Sequence, residues 1–345
     1  MSTPVTDAPV LLSGLTGYIG SYIAAGLLNR GYAVRGTMRN AAKFERVRAA
    51  LAEHAPVEKL TVAEADLLDA DAWHRAMEGV THVQHVASPF FAAQPDDPDE
   101  MVVPAREGTL NVLRAATEAG VQRVVLTSSF VAVGYGVTAP PTQPFTEERW
   151  TDTTIADDVN PYILSKTIAE RAAWDYVRAT PGAPELATVN PSLVLGPLMT
   201  DNASASHVVL QKMMKGEMPG VPKFGFEIVD VRDVSDLHIR AMEAPEAAGE
   251  RYLAAAGHRT FKQVAAHIRE AAPAYRKKLP KFELPDFGMR LFALFDAEAR
   301  GALNELGKHR TASNAKARTQ LGWAPRSPDD AIAASTRDLI AHGLV

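Results

Sequence analysis

The sequence predicts a doubly wound α/β fold, a parallel sheet wrapped by helices, with a smaller C-terminal lobe. Three observations predict it. The apolar run Val10-Leu11-Leu12-Ser13 enters a turn with glycines at 14, 17 and 20, and a helical pattern leaves it. Strand-like and helix-like segments then alternate as far as Val189, which implies right-handed βαβ crossovers and a parallel sheet. Beyond Val189 the alternation loosens, and prolines 191, 197, 219 and 222 punctuate loops.

The elements follow in order. A strand over 10–13 leads into a helix over 18–30, where Ile19, Tyr22, Ile23, Gly26 and Leu27 recur at helical spacing. Further strands are expected at 33–38, 60–64, 82–86, 123–127 and 185–189, with helices between them at 43–54, 70–77, 99–119 and 162–179. Residues 227–231 and 252–255 are expected to return to the same sheet. Helices over 261–271 and 329–341 build the smaller lobe, with the aromatic-rich stretch 284–294 packed inside it. On this reading residues 1–190 form a Rossmann domain with return elements at about 227–256, and residues 191–345 are mainly a substrate-binding lobe.

Composition narrows the function. A chain of 345 residues with 46% apolar content has ample material for a core. A net charge of −5 argues against a nucleic-acid partner. The absence of cysteine removes disulfides, thiolate metal sites and cysteine nucleophiles. Residues 1–9 lack the features of a signal peptide. The longest apolar stretch, 124–137, is interrupted by Thr127, Ser128, Ser129 and Gly134, so no membrane span is expected and a cytoplasmic protein is.

The glycine turn points to a dinucleotide. Backbone N–H groups at such a turn approach a pyrophosphate that sits at a helix N-terminus. In NAD-binding chains an acidic residue follows by about 20 residues and receives the adenine-ribose hydroxyls. Here that position is Arg39, which suits a 2′-phosphate. Arg46, with Lys43 nearby, adds a second positive charge. NADP(H) is therefore expected rather than NADH. Asp66 either accepts from the adenine amino group or caps the helix over 70–77.

Tyr162 and Lys166 stand four apart on one helix face, behind Asn160 as N-cap and Pro161 as first helical residue. Lysine beside a phenol lowers the phenol pKa from about 10 and also reaches the nicotinamide ribose. The spacing alone means little; the strand Val124-Val125-Leu126-Thr127-Ser128-Ser129, ending in hydroxyls, supplies the context. Phe90, Phe91, Phe130, Tyr135, Met199 and Phe226 fall in or near loops expected around the pocket and suggest an apolar carbonyl substrate. His82 and His85 do not form a metal pair, and the acidic pairs at 96–97, 157–158 and 329–330 read as loop charges and helix starts, so no metal is expected.

With these residues in place, the chain resembles the extended short-chain dehydrogenase/reductases, in the branch of dihydroflavonol 4-reductase, cinnamoyl-CoA reductase and microbial aldehyde/ketone reductases. The landmarks run over nearly the whole chain: 13–20, 34–39, Ala65-Asp66-Leu67, His85-Val86-Ala87-Ser88-Pro89, Glu107-Gly108-Thr109-Leu110-Asn111, Thr127-Ser128-Ser129, 162–166, 190–197, 229–234 and Leu321-Gly322-Trp323-Ala324-Pro325-Arg326. The resemblance implies a carbonyl reductase with Ser129 as catalytic serine, Ser128 as the fallback, and Tyr162 and Lys166 as its partners. It implies a cofactor set of Gly14, Thr16, Gly17, Tyr18, Ile19, Gly20, Arg39, Arg46, Asp66, Leu67, Ala87 and Ser88. Pro191, Ser192, Leu193 and Val194 join that set as the loop flanking the nicotinamide.

The turn begins Ser13-Gly14 where the family usually has Thr-Gly, and Phe130 replaces a small residue, which is expected to reshape the substrate pocket. Rival readings are a sugar-nucleotide epimerase or dehydratase, a hydroxysteroid or aryl-alcohol dehydrogenase, and a non-catalytic dinucleotide sensor. Relatives pair the helices over 99–119 and 162–179 in dimers, and monomers occur as well.

Overall fold

A computed structural model of the chain describes residues 8–89, 95, 97–139, 142–201, 203–294 and 303–345. Phe90, Phe91 and Asp96 lie outside the described residues. Seven strands form a sheet in which every pairing is parallel: β1 (Val10–Ser13), β2 (Val34–Met38), β3 (Leu60–Glu64), β4 (His82–His85), β5 (Arg123–Thr127), β6 (Glu185–Pro191) and β9 (Arg251–Ala254). Their order is β3-β2-β1-β4-β5-β6-β9, so the winding reverses between β1 and β4. That reversal opens a crevice beyond the carboxyl ends of the two strands, where such sheets bind ligands.

Alternation along β1 shows how both faces are covered. Val10 and Leu12 enter one core with α1 (Tyr18–Asn29) and α7 (Val231–Glu243). Leu11 enters the other, with α3 (Ala70–Ala76), α4 (Asp99–Glu118) and α5 (Pro161–Ala179). Residues two apart share a face of a strand, so a strand buried on both sides is apolar throughout. Helix α2 (Phe44–Ala52) follows β2, with Leu51 buried, Phe44 and Val47 packed on the core and Glu45, Arg46, Ala49 and Ala52 exposed.

The smaller lobe has its own sheet, order β10-β8-β7, formed by β7 (Leu193–Leu195), β8 (Gly225–Asp230) and β10 (Gly257–Thr260). Leu210 and Met213 of α6 (Val208–Lys215), Phe261 and Ile268 of α8 (Phe261–Ala271) and Ile332 and Leu339 of the C-terminal helix (Pro328–Ala341) close a third core over it.

Three expectations are corrected. The 227–231 segment does not return to the main sheet: β8 pairs with β7 and β10, and it is β9 that adds the seventh strand beside β6. The chain comes back to the main sheet as a helix instead. Asp230 caps α7 by accepting from the Arg232 N–H at 2.9 Å, and Arg30, at the C-cap of α1, binds Asp236 at 2.6 Å and Glu243 at 2.9 Å. Second, Pro191, Leu193 and Val194 are not loop residues; Pro191 ends β6, Leu193 and Val194 lie in β7, and Ser192 makes the crossover between sheets, its N–H bonded to the Ala254 carbonyl at 3.0 Å. Third, the 284–294 stretch packs on one side only. Met289 and Ala293 are buried against Leu284, Leu303 and Leu306, whereas Phe287, Leu291 and Leu294 of the same short segment face solvent. Among the described residues no helix is long and apolar enough to cross a membrane.

Candidate active site

The glycine turn has the shape that a pyrophosphate requires. Gly14 has φ +74°, and a Cβ there would lie 3.1 Å from the Ala87 backbone. A Cβ on Gly20 would lie 2.1 Å from the Gly14 carbonyl oxygen, so any other residue would force the turn open. Gly17 is the N-cap of α1 and caps it with no side chain. Its N–H closes the turn onto the Gly14 carbonyl at 2.9 Å. The amides of Tyr18, Ile19 and Gly20 are first-turn donors with no acceptor inside the helix, and the helix dipole favours an anion beside them.

A groove of about 480 Å³ opens here, lined by Thr16, Gly17, Tyr18, Lys43, Arg46, Met199 and Asp201 among others. The residues present therefore fit a dinucleotide phosphate: a close-approach turn, free helix amides and two cations. Arg46 reaches across the groove mouth to Asp201 at 3.7 Å, an exposed pair of small energetic weight. Arg39 is exposed just past the end of β2 and is not among the lining residues. Asp66 does not cap α3; Asp69 does, accepting from the Ala72 N–H at 3.0 Å, while Asp66 accepts locally from the Leu68 N–H at 3.0 Å. The Leu67 carbonyl accepts from Asn111 at 3.2 Å and from Trp73 at 3.3 Å.

Ser13 joins this turn to the end of β4. Its hydroxyl oxygen accepts from the N–H groups of Val86 at 2.8 Å and Ala87 at 2.9 Å. Its remaining proton goes to His85 Nδ1 at 2.8 Å, which leaves the imidazole proton on Nε2. Burial, reinforced by the Lys166 charge, lowers the His85 pKa to about 3, so the ring is neutral. The next residue along, Ser88, accepts from Lys166 Nζ at 2.9 Å.

Helix α5 delivers the other two groups. Asn160 accepts from the Ile163 N–H at 2.9 Å and Pro161 begins the helix, as expected, so Tyr162 stands in the first turn and Lys166 in the second. Ser129, after β5, accepts from the Val131 N–H at 3.3 Å and shares a side-chain hydrogen bond with Tyr162. Ser128 is committed elsewhere: its hydroxyl donates inward to Glu170 at 2.5 Å. The geometry thus separates the paired serines, one facing the tyrosine and one facing the interior.

The electrostatics differ from expectation at the tyrosine. Tyr162 is 42% exposed; the protein mass around it still raises the phenol pKa by desolvation, against the lowering effect of the Ser129 hydrogen bond. Solvent reaching so open a ring limits that rise. Lys166 does not lower it, because its ammonium is turned to Ser88. The lysine itself is depressed to about 8 by burial, with the Glu170 charge opposing the fall.

The substrate-pocket expectations fare unevenly. Phe130 is buried with Val133, Phe145 and Leu253, so its bulk is spent on packing and does not narrow a pocket. Tyr135 lies beneath the Arg310 guanidinium, 4.1 Å from it. Phe226 packs with Phe224 and Phe261. Met199 lines a groove, but the one beside the glycine turn. Sequence reasoning passed over Glu170, Asn190 and the Ser13–His85 bond. Glu170 had a signal, four residues after Lys166 on the same helix face.

The NAD dependent epimerase/dehydratase family matches residues 10–255. The chain belongs to that family. It is 36% identical over 282 residues to cinnamoyl-CoA reductase 1 of Petunia hybrida, covering 81% of this chain and 80% of that protein. It is 33% identical over 272 residues to dihydroflavonol 4-reductase of Zea mays, covering 77% of this chain and 75% of that protein. Among solved structures, yeast methylglyoxal/isovaleraldehyde reductase Gre2 complexed with NADPH superposes with a TM-score of 0.80 at 26% identity, over 98% of this chain and 100% of that one.

Proposed function

We propose that the protein is a cytoplasmic NADPH-dependent carbonyl reductase that converts a small apolar aldehyde or ketone to the alcohol, as a monomer or a homodimer. The observation that supports this most strongly is the meeting of the Ser129 and Tyr162 hydroxyls at the carboxyl end of β5, with Lys166 held on Ser88 at the end of β4. Reductase relatives and an NADPH-bound structural neighbour favour the same activity and cofactor.

The amides of Tyr18, Ile19 and Gly20, at the close turn of Gly14 and Gly17, hold the pyrophosphate. Arg39 and Arg46, with Thr16 nearby, hold the 2′-phosphate end, and Asp66 and Leu67 border the adenine. Ala87 and Ser88 border the nicotinamide ribose, and Pro191, Ser192, Leu193 and Val194 flank the nicotinamide. NADPH, when bound, supplies the hydride that reduces the carbonyl carbon. Ser129 donates a hydrogen bond to the carbonyl oxygen, where negative charge develops. Tyr162 gives that oxygen its proton; a raised phenol pKa keeps the donor protonated at neutral pH. Lys166, held on Ser88, binds the ribose.

The test is NADPH oxidation by the purified protein with aromatic and aliphatic aldehydes and ketones. Tyr162→Phe is expected to lower kcat by at least about 10² with NADPH affinity unchanged. Full turnover in that variant, or no carbonyl-dependent oxidation in the parent protein, overturns the proposal.

A further inference from the structure

Glu170 is buried, with 1% of its surface exposed, and its carboxylate is fully engaged. One oxygen accepts from Arg251 Nε at 2.7 Å and Trp174 Nε1 at 3.4 Å, and shares the Thr188 Oγ1 proton, at 3.2 Å, with Asn190 Oδ1 at 3.0 Å. The other accepts from Ser128 Oγ at 2.5 Å and Asn190 Nδ2 at 2.7 Å. Asn190 gives its second amide proton to the Ser129 carbonyl at 3.1 Å. The ends of β5 and β6 are therefore fixed by one carboxylate, and the fixed segment is the one that presents Ser129.

The same carboxylate lies one helical turn beyond Lys166. Both side chains line a small cavity with Ala87, Ser88, Thr127 and Ser128, and among the described lining residues they are its two charged groups. The surrounding titratable groups leave the ammonium little other support. His85, from β4, is held neutral by burial and by the Lys166 charge, and so offers the ammonium no counter-charge. His238, from α7, bonds Thr127 Oγ1 at 3.0 Å and is likewise held neutral by burial. Tyr162, on the lysine's own helix, keeps its proton. Arg251, from β9, is turned to Glu170 and sits 3.7 Å over the Trp150 ring.

We propose that Glu170 is a positioning residue for the reduction: it fixes the Ser128–Asn190 scaffold that presents Ser129, and its charge keeps Lys166 an ammonium. This rests on the carbonyl-reductase reading for its catalytic consequence. Its electrostatic half stands apart from that reading. The Glu170 charge opposes the burial that draws the lysine down to about 8, so removing it moves the lysine lower still.

The experiment compares the full-length protein with Glu170→Gln and Glu170→Asp, with and without NADP+. Two readouts are taken: the alkaline limb of kcat for carbonyl reduction, and an NMR titration of ¹³C-labelled lysine with Lys166 assigned through Lys166→Arg. In Glu170→Gln both are expected to move to lower pH by about one unit or more. Glu170→Asp keeps the charge and is expected to restore most of the shift. Should Glu170→Gln fail to fold with Arg251 unpaired, Glu170→Gln/Arg251→Gln removes both buried charges and is expected to shift both readouts in the same direction by less, because losing the Arg251 cation partly offsets losing the carboxylate. A uniform loss of kcat with limb and titration unmoved, or equal shifts in the Gln and Asp variants, overturns the proposal. A parent protein that reduces no carbonyl overturns the catalytic reading alone, and the lysine titration still decides the charge effect.

Discussion

Replacing the paired serines one at a time separates a structural hydroxyl from the one proposed as catalytic. Ser128→Ala removes the 2.5 Å donor to buried Glu170. A hydrogen bond to a charged group is worth about 1.5–3 kcal/mol. For a chain of 345 residues, an unfolding entropy of about 2.1 cal/mol/K per residue gives about 0.7 kcal/mol/K, so Tm falls by about 2–4 °C. Ser129→Ala leaves the five donors to Glu170 in place. It removes the hydroxyl that meets Tyr162, and losing one oxyanion donor lowers kcat by about 10²–10³ with Tm nearly unchanged. Scanning calorimetry and steady-state NADPH oxidation on the same preparations read both effects. Abolished turnover in Ser128→Ala at unchanged Tm, beside an active Ser129→Ala, would refute the assignment.

Two further outcomes are expected. Arg39→Asp should reduce the NADPH-over-NADH affinity ratio by at least about tenfold, since it replaces the proposed charge-assisted phosphate contact with a repulsion; fluorescence titration of both cofactors measures it, and an unaltered ratio removes Arg39 from the site. Acid should destabilise the fold well before the carboxylates titrate. Buried His85 and His238 are lowered to about 3 and His207 to about 4 by desolvation. Each protonates in the unfolded chain below its ordinary value while staying neutral in the fold, so stability present above about pH 6.5 is lost as pH falls, by about 2 kcal/mol per histidine at pH 5. Glu227, raised to about 7 by burial, holds its proton in the fold and offsets about 2 kcal/mol of that loss. Urea unfolding at pH 7 and pH 5 should therefore differ by about 4 kcal/mol, and equal stabilities would contradict the neutral histidines.

The sequence was most legible where one local rule decides the outcome. The glycine turn, the Asn160-Pro161 helix start and the strands from β1 to β6 each follow from spacing, capping or apolar runs. It was less legible where a distant partner decides. Nothing local to 227–231 says whether that strand pairs with β6 or with β7, since both choices bury the same side chains. Phe130 reads as a pocket residue because it follows Ser129, yet Phe145 and Leu253, remote in sequence, claim its ring. Lys166 carries the expected spacing from Tyr162, but Ser88, from another strand end, sets where its ammonium points. Glu170 went unnoticed because its importance lies in donors from β5, β6 and β9 that converge only on folding.

Ser13 has a consequence for motion. Its hydroxyl grips the backbone that leads to Ser88, Gly14 rests against Ala87, and Ser88 in turn grasps Lys166. Glycine turn and lysine are thereby yoked through a few short links. Thermal jostling of one drags the other along, so their mutual spacing survives fluctuations that would disturb two independently mounted parts.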